Sequence, residues 1–496
     1  LALHFSVQNA PNAPLWDNDR VLTNGTYLQG YHILPRLGVR EAFLSGAAKR
    51  AAFGLGPRPT QAPSAQDSTF LGYAYTENNA DRILYSTTVS TDADQQALSM
   101  GQLRKQWTEN DRNYFHYSSD GPVTNTISWL SGRYALETDL TAAVPVQYHH
   151  HGDHAHELPD FQQGIKAGLD LNTELFGQLA YDTLKMVEFP IGHGSHATLN
   201  GNLIPTSESY LLCDVDHANN DIFNVPFFVG AHEVAHYWWG HRVDPANVPG
   251  GRMMTEGLAD YLGITAVGRR FGDEAKARMV ANWRKLYFRG RAGRGDEVPL
   301  VSVGLEENQD YLNYRKAALA FNALAGYLGE ANFHTTLAAF EARFRHAEPP
   351  YATALDLVAA LRSATPDSLA YLIEDYFEAI TLYDNGISNA NITPTADGGF
   401  AVKADFFVTK YRADAKGEKY YGDQPLVGAK NRSIPLADYV WVACYAGDTL
   451  LARQKVKAST IDNTVTFSLP QRPDRIVLDP DGWLLDANDE DGTWWF

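Results

Sequence analysis

Cysteine is almost missing from this chain: two, Cys213 and Cys444, among 496 residues. So far apart, they give neither a disulfide framework nor a cysteine-zinc spacing, and a single bridge is the most they could form. No run approaches the roughly 20 apolar residues needed to cross a bilayer, and no leader-like segment is recognisable. The chain starts at Leu1 without a methionine, so it is expected to be a cut-out piece or a processed product. Positive charge is also scarce, with 41 Lys and Arg against 59 Asp and Glu, a net charge of -18 and a pI near 5.3. That balance argues against nucleic acid as a partner, because phosphate binding needs clustered positive charge, and it favours cationic ligands such as peptide amino termini. Core-forming residues are plentiful: 44% are hydrophobic and 12% aromatic, so the chain is expected to be globular. At this length one core does not suffice, and about three domains are expected.

The most informative stretch is Ala231-His232-Glu233-Val234-Ala235-His236-Tyr237-Trp238-Trp239-Gly240-His241. Histidines four apart lie one turn apart on a helix, about 40° around its axis, so His232 and His236 can reach one ion. Zinc takes four ligands, and a catalytic site draws three from the protein and leaves the fourth to water. Glu233, between the histidines, can accept a proton from that water. Glu256, in Met254-Thr255-Glu256-Gly257-Leu258-Ala259-Asp260, is the candidate third ligand. Asp260 falls on the same helical face, where it can accept a hydrogen bond from a liganding imidazole and fix its tautomer. The competing reading is that H-E-x-x-H arose by accident on a helix whose histidines are ordinary core or surface groups. The E-G-x-x-D helix start at hairpin distance weighs against accident.

Residues 1 to about 145 read mostly as strand, as in Arg82–Ser90 and Thr126–Leu130, with a helix expected near Val39 to Ala52 and an exposed loop from Gly56 to Asp67. Tyr148 to Glu157 holds five of the sixteen histidines. It has no helical or hairpin ligand spacing, so a loop at a domain junction competes with a second metal site. Helices are expected over Asp160–Leu184, with Ile165, Leu169, Phe176 and Leu179 as the apolar stripe, over Pro226–Gly240, and around Glu256. Strands are expected at Met186–Pro190 and Leu199–Ile204. The nine Lys and Arg of Arg269–Arg294 read as a solvated helix face. Helices should continue over Ala317–Leu328, Phe333–Phe344, Ala352–Ser363 and Asp367–Tyr376. Residues 390–496 change to strand period and should form a small β-sandwich.

H-E-V-A-H-Y-W-W-G followed by T-E-G-L-A-D resembles the gluzincin peptidases of the aminopeptidase N family. The resemblance implies a multidomain α+β fold: a β-rich N-terminal saddle domain (1–147), a thermolysin-like, mostly helical zinc peptidase domain (148–385) and a C-terminal β-sandwich (386–496). It implies one zinc ion, a peptide substrate, and Tyr314, in Asn313-Tyr314-Arg315-Lys316-Ala317, as the tyrosine that steadies the oxyanion. On the residues alone, a tyrosine there is more often a packing group. Val187-Glu188-Phe189-Pro190, Ile33-Leu34-Pro35-Arg36-Leu37-Gly38 and Tyr148-His149-His150-His151 resemble a bacterial branch fused to ABC-transporter permeases. That implies an extracytoplasmic domain whose parent is membrane-attached.

Two departures stand out. Nineteen residues separate His236 from Glu256, one more than is usual in the family, and the Gly250-Gly251 turn is expected to absorb the extra one. In the family's Gly-x-Met-Glu-Asn motif a glutamate grips the substrate's amino group; here the region is His196-Ala197-Thr198-Leu199-Asn200, and Leu199 replaces that acid. A buried ammonium without an anionic partner is costly. Glu188 or Glu208 is the candidate to take over, each being otherwise an ordinary surface or supporting acid. The expected function is a zinc peptidase, an aminopeptidase on short peptides, the alternative being a non-catalytic zinc-bearing peptide-binding or sensor domain of a transporter.

Overall fold

The computed structural model describes residues 21–22, 25–34, 51–54, 70–76, 82–215, 224–294, 297–304, 309–414, 419–421, 424–425, 438–488 and 490–496. The expected loop 56–67 and all but the end of the expected helix 39–52 lie outside them. The chain has a β-rich N-terminal region, a helical middle and a β-rich C-terminal region. It divides into two compact units, 1–272 with 337–357, and 273–336 with 358–496. The three segments expected above remain an expectation. No helix among the described residues is long and apolar enough to cross a membrane.

In the first unit, Val21–Leu22, Gly25–Gln29, Ser128–Gly132 and Gln96–Ser99 form one antiparallel sheet, and Ser86–Asp92, Arg112–Ser118 and Gln102–Glu109 another. A third sheet is mixed: Ala135–Asp139 runs antiparallel to Val146–His150, after which Leu184–Phe189 and Leu203–Ser207 continue in parallel. Strand alternation sends Val187 and Phe189 into a core with Tyr27, Leu98, Leu130 and Leu203. Glu188, between them, takes the opposite face.

The helix Leu158–Phe176 stops eight residues before the expected Leu184, because Gly177 adopts φ 85 and caps it through Thr173. Across it lies Val225–Ala235, started by the Asn224 side chain, which accepts a hydrogen bond from Phe227 N–H, and by Pro226 in the first turn. Glycines set this crossing. A Cβ on Gly164 would stand 2.0 Å from the Phe227 carbonyl oxygen, and one on Gly230 would stand 2.8 Å from that of Phe161. The α-helix ends at Ala235 rather than at Gly240; His236 is its C-cap, Tyr237 and Trp238 follow as turns and Trp239 bridges to Val243, all three rings buried.

The basic stretch divides into two helices, Leu258–Phe271 and Asp273–Arg294, because Gly272 takes φ 90. In the second unit, Ala317–Leu328 is the helix expected, whereas the helix expected at Asp367–Tyr376 breaks into a 3-10 turn, a three-residue helix and a π turn at Glu374–Glu378. That π turn holds Asp375 in buried ion pairs with Lys410 and Arg412. The first strand of the C-terminal sandwich begins at Thr381, ahead of the expected starts at 386 and 390. Phe400–Ala413 pairs with Thr381–Pro394 and Asp462–Leu469, while Asp438–Ala446 pairs with Thr449–Ala458 and Arg475–Leu478. Val402, Phe406, Val442, Val465 and Ile476 fill the space between these sheets.

Candidate metal centre

His232 and His236 face one another, with Nε2 to Nε2 at 3.0 Å and rings nearly perpendicular at 86°. Glu256 Oε2 lies 3.6 Å from His232 Nε2 and 3.3 Å from His236 Nε2. Three ligands on a tetrahedral zinc, each about 2.0–2.1 Å from the ion, are separated by about 3.3 Å. The three measured edges scatter around that value. The far nitrogens are held as well: His232 Nδ1 is 2.9 Å from Asp260 Oδ1, and His236 Nδ1 is 3.2 Å from the Trp239 carbonyl oxygen. Both acceptors favour the tautomer with the proton on Nδ1, which turns the Nε2 lone pairs toward one point. Two lone pairs and a carboxylate converging in a buried place repel each other unless a cation lies between them. The donor set therefore fits zinc.

Glu256 sits on a π turn, Met253–Gly257, which runs directly into Leu258–Phe271. One imidazole is thus gripped by two acids from one continuous helical segment, Glu256 on Nε2 and Asp260 on Nδ1. The extra residue between His236 and Glu256 had been expected in the glycine turn. Gly250 does take φ 84, but a π turn also accommodates one additional residue, and it does so at the ligand itself.

The electrostatics agree. Burial works against a cation on His232, yet hydrogen bonds to Asp260 and Glu256 outweigh it and push its pKa up to about 10. His236 is raised in the same way by Glu256, against burial. Glu256 is itself buried, but the two imidazoles hold it well below the usual carboxylate range. Glu233 goes the other way, since its burial raises it despite both histidines. Its Oε2 is enclosed without a hydrogen-bond partner among the described residues. An unsatisfied carboxylate oxygen of raised basicity beside a metal position is what a proton acceptor requires.

Leu199 is buried, and its carbonyl oxygen accepts a hydrogen bond from His241 Nε2 at 3.0 Å. Around it the chain makes a narrow hairpin, with bridges Ala197 to Thr206 and Asn200 to Leu203, so the expected strand is a turn leading into Leu203–Ser207. Glu188 and Glu208 are brought together with His154 rather than standing as separate acids. His154 Nδ1 lies 2.5 Å from Glu188 Oε1 and 3.7 Å from Glu208 Oε2. Tyr314 belongs to the second unit, on the π turn Tyr311–Lys316. That turn is braced at the two residues after Tyr314: the Arg315 guanidinium lies 4.3 Å over the Trp283 ring, and Lys316 Nζ meets Glu297 at 2.7 Å.

Tyr27 escaped the sequence reading. It is buried, stacked on Phe189 at 4.5 Å, and near enough to Glu233 that this acid is among the charges raising its pKa, after burial itself. Nothing in the sequence around Tyr27 marks it, because its position depends on a sheet whose partner strand begins a hundred residues later.

Comparison with known proteins places the same segment. Residues 171–376 match the Peptidase family M1 domain. Over 197 residues the chain is 26% identical to Aminopeptidase M1-A of Oryza sativa subsp. japonica, covering 39% of this chain and 22% of the rice protein. Among solved structures, it is similar to Legionella pneumophila aminopeptidase A in complex with aspartic acid, with a TM-score of 0.53, 14% identity, and 82% of this chain matched to 45% of that one. An M1 zinc metallopeptidase from Deinococcus radiodurans matches with a TM-score of 0.48 and 17% identity, over 60% of this chain and 64% of that one. The chain spans less than half the length of the rice and Legionella proteins. Residues 171–376 thus resemble the Peptidase family M1 domain, and His232, His236 and Glu256, which could hold a metal ion, lie within the matched segment.

Proposed function

We propose that this chain hydrolyses peptide bonds with one zinc ion held by His232, His236 and Glu256, and that it acts as an aminopeptidase on short peptides. The observation that carries this reading is the near-tetrahedral spacing of those three donors with the unsatisfied Glu233 carboxylate beside them. Bound there, zinc would supply polarisation of the attacking water and of the scissile carbonyl. Glu233 takes the proton of that water and delivers it to the departing amine. Asp260 and the Trp239 carbonyl keep the imidazoles in the tautomer the metal needs. We assign Tyr314 to the developing oxyanion, on the resemblance of its surrounding sequence and the hydrogen bond a phenol can donate there.

Amino-terminal selectivity has to arise without an acid at position 199. Hydrolysis of free and amino-blocked peptides, with and without chelator, tests the proposal. Chelator-sensitive cleavage of free amino termini alone establishes the aminopeptidase, and cleavage of blocked peptides makes it an endopeptidase. Tight binding without turnover would return the chain to the peptide-binding reading. Glu233 speaks against that last outcome, since a binding module has no use for a buried unpaired base. A permease-linked parent and an extracytoplasmic location are proposed on the resemblance alone.

A further inference from the structure

The carboxyl ends of Val146–His150, Leu184–Phe189 and Leu203–Ser207 come together at one edge of the parallel part of their sheet. The crevice outside such strand ends is where α/β sheets gather ligand groups. Glu188 is the next-to-last residue of the middle strand, Glu208 directly follows its neighbour, and His154 lies in the loop that leads from the first strand to the helix 158–176. Each acid spends one oxygen on a backbone amide that fixes it. Glu188 Oε2 accepts from His151 N–H at 2.7 Å, and Glu208 Oε1 from Ile191 N–H at 2.8 Å. Each turns its other oxygen toward His154 Nδ1. We propose that His154, Glu188 and Glu208 form a second divalent-cation site, independent of the His232, His236 and Glu256 centre and of the activity proposed for it.

Charge and burial support this. The Glu188 side chain is 0% exposed and the Glu208 side chain 12%. A dication held between the two acids would offset the cost of keeping both carboxylates charged in such surroundings. Beside it, His151 Nε2 is shielded from solvent without a hydrogen-bond partner among the described residues, and the His151 ring lies 5.6 Å from that of His154. One nitrogen and two oxygens from the protein suit zinc or manganese better than copper(I) or calcium. The 2.5 Å between His154 Nδ1 and Glu188 Oε1 is a hydrogen bond. An ion entering there displaces the shared proton to solvent and moves the two atoms to about 3.3 Å, the separation of two ligands on one zinc. His154 can make that shift, since exposed Gly152 and Asp153 precede it in a loop.

The test is a metal count on the whole chain, stripped with chelator, reloaded with zinc alone and freed of excess, read by plasma emission. The wild type should hold about two ions, and Glu256→Ala and His154→Ala about one each. Glu208→Gln, a milder change, should weaken the second zinc by about tenfold or more in titration. Manganese added to Glu256→Ala should give a bound-ion paramagnetic resonance signal that the further change His154→Ala removes. A wild type holding about one ion, unchanged by His154→Ala and Glu208→Gln, overturns the proposal. A count of about one with Glu208→Gln raising KM for free but not for blocked peptides also overturns it, and gives the acids to the substrate ammonium instead. Failure at the catalytic centre reads differently, since Glu256→Ala would then keep the same count as the wild type.

Discussion

Two histidine–carboxylate clusters lie in the same compact unit, and they are built differently. In His232, His236 and Glu256 every donor stands on or at the end of a helix, the donor atoms are 3.0, 3.6 and 3.3 Å apart, and each imidazole is fixed from behind. In His154, Glu188 and Glu208 the acids end strands, the histidine rides a loop, and two atoms close to 2.5 Å around a proton. The first is spaced for an ion before one arrives. The second has to open, so it should fill later and more weakly.

The comparison breaks most visibly at Glu233. Glu233→Gln should cut kcat by about a thousandfold while the protein keeps its tightly held zinc; substantial turnover by zinc-loaded mutant protein would remove Glu233 from the chemistry. Next in size is the support behind His232. Asp260→Asn should weaken zinc binding by about 10–100-fold, measured by competition with a chromogenic chelator, with little change in folded structure. A pH series sharpens the contrast further. In metal-free protein the His232 pKa is raised from 6.5 to about 10, so protons compete with zinc throughout that interval. Apparent zinc affinity should therefore climb as pH rises from about 6.5 to 10, by up to about tenfold per pH unit, and Asp260→Asn should flatten the slope. A flat wild-type profile would mean that His232 is not the proton carrier. The smallest effect concerns the helix crossing under the first cluster. Gly164→Ala should cost about 1–3 kcal/mol, read as a lower Tm, because the new methyl meets the Phe227 carbonyl.

Much of the first cluster was legible in the sequence. The i, i+4 pairs His232/His236 and Glu256/Asp260 carry their geometry in their spacing, since a helix turns the same way wherever it is folded. The C-terminal strands were legible for a related reason: in Asp462–Leu469 buried and exposed positions alternate as strand period requires. The second cluster was not readable in this way. Its residues, 154, 188 and 208, come together only through parallel register, Glu188 opposite Thr206, and no local pattern encodes which strands will be neighbours. Helix ends were misplaced where one glycine decided the matter, as at Gly177 and Gly272. The π turns under Glu256 and Tyr314 were invisible because they differ from an α-helix in hydrogen-bond partner rather than in residue type.

The turn Met253–Gly257 makes the first cluster sensitive to chain length. Removing one amino acid just upstream would let the α-helical ladder close over the gap, and the protein would still fold. Everything on one side of the cut would then be rotated by about 100° relative to the other. The Glu256 carboxylate would swing off the imidazoles, so a difference of a single codon would separate a three-donor cluster from a bare pair of histidines.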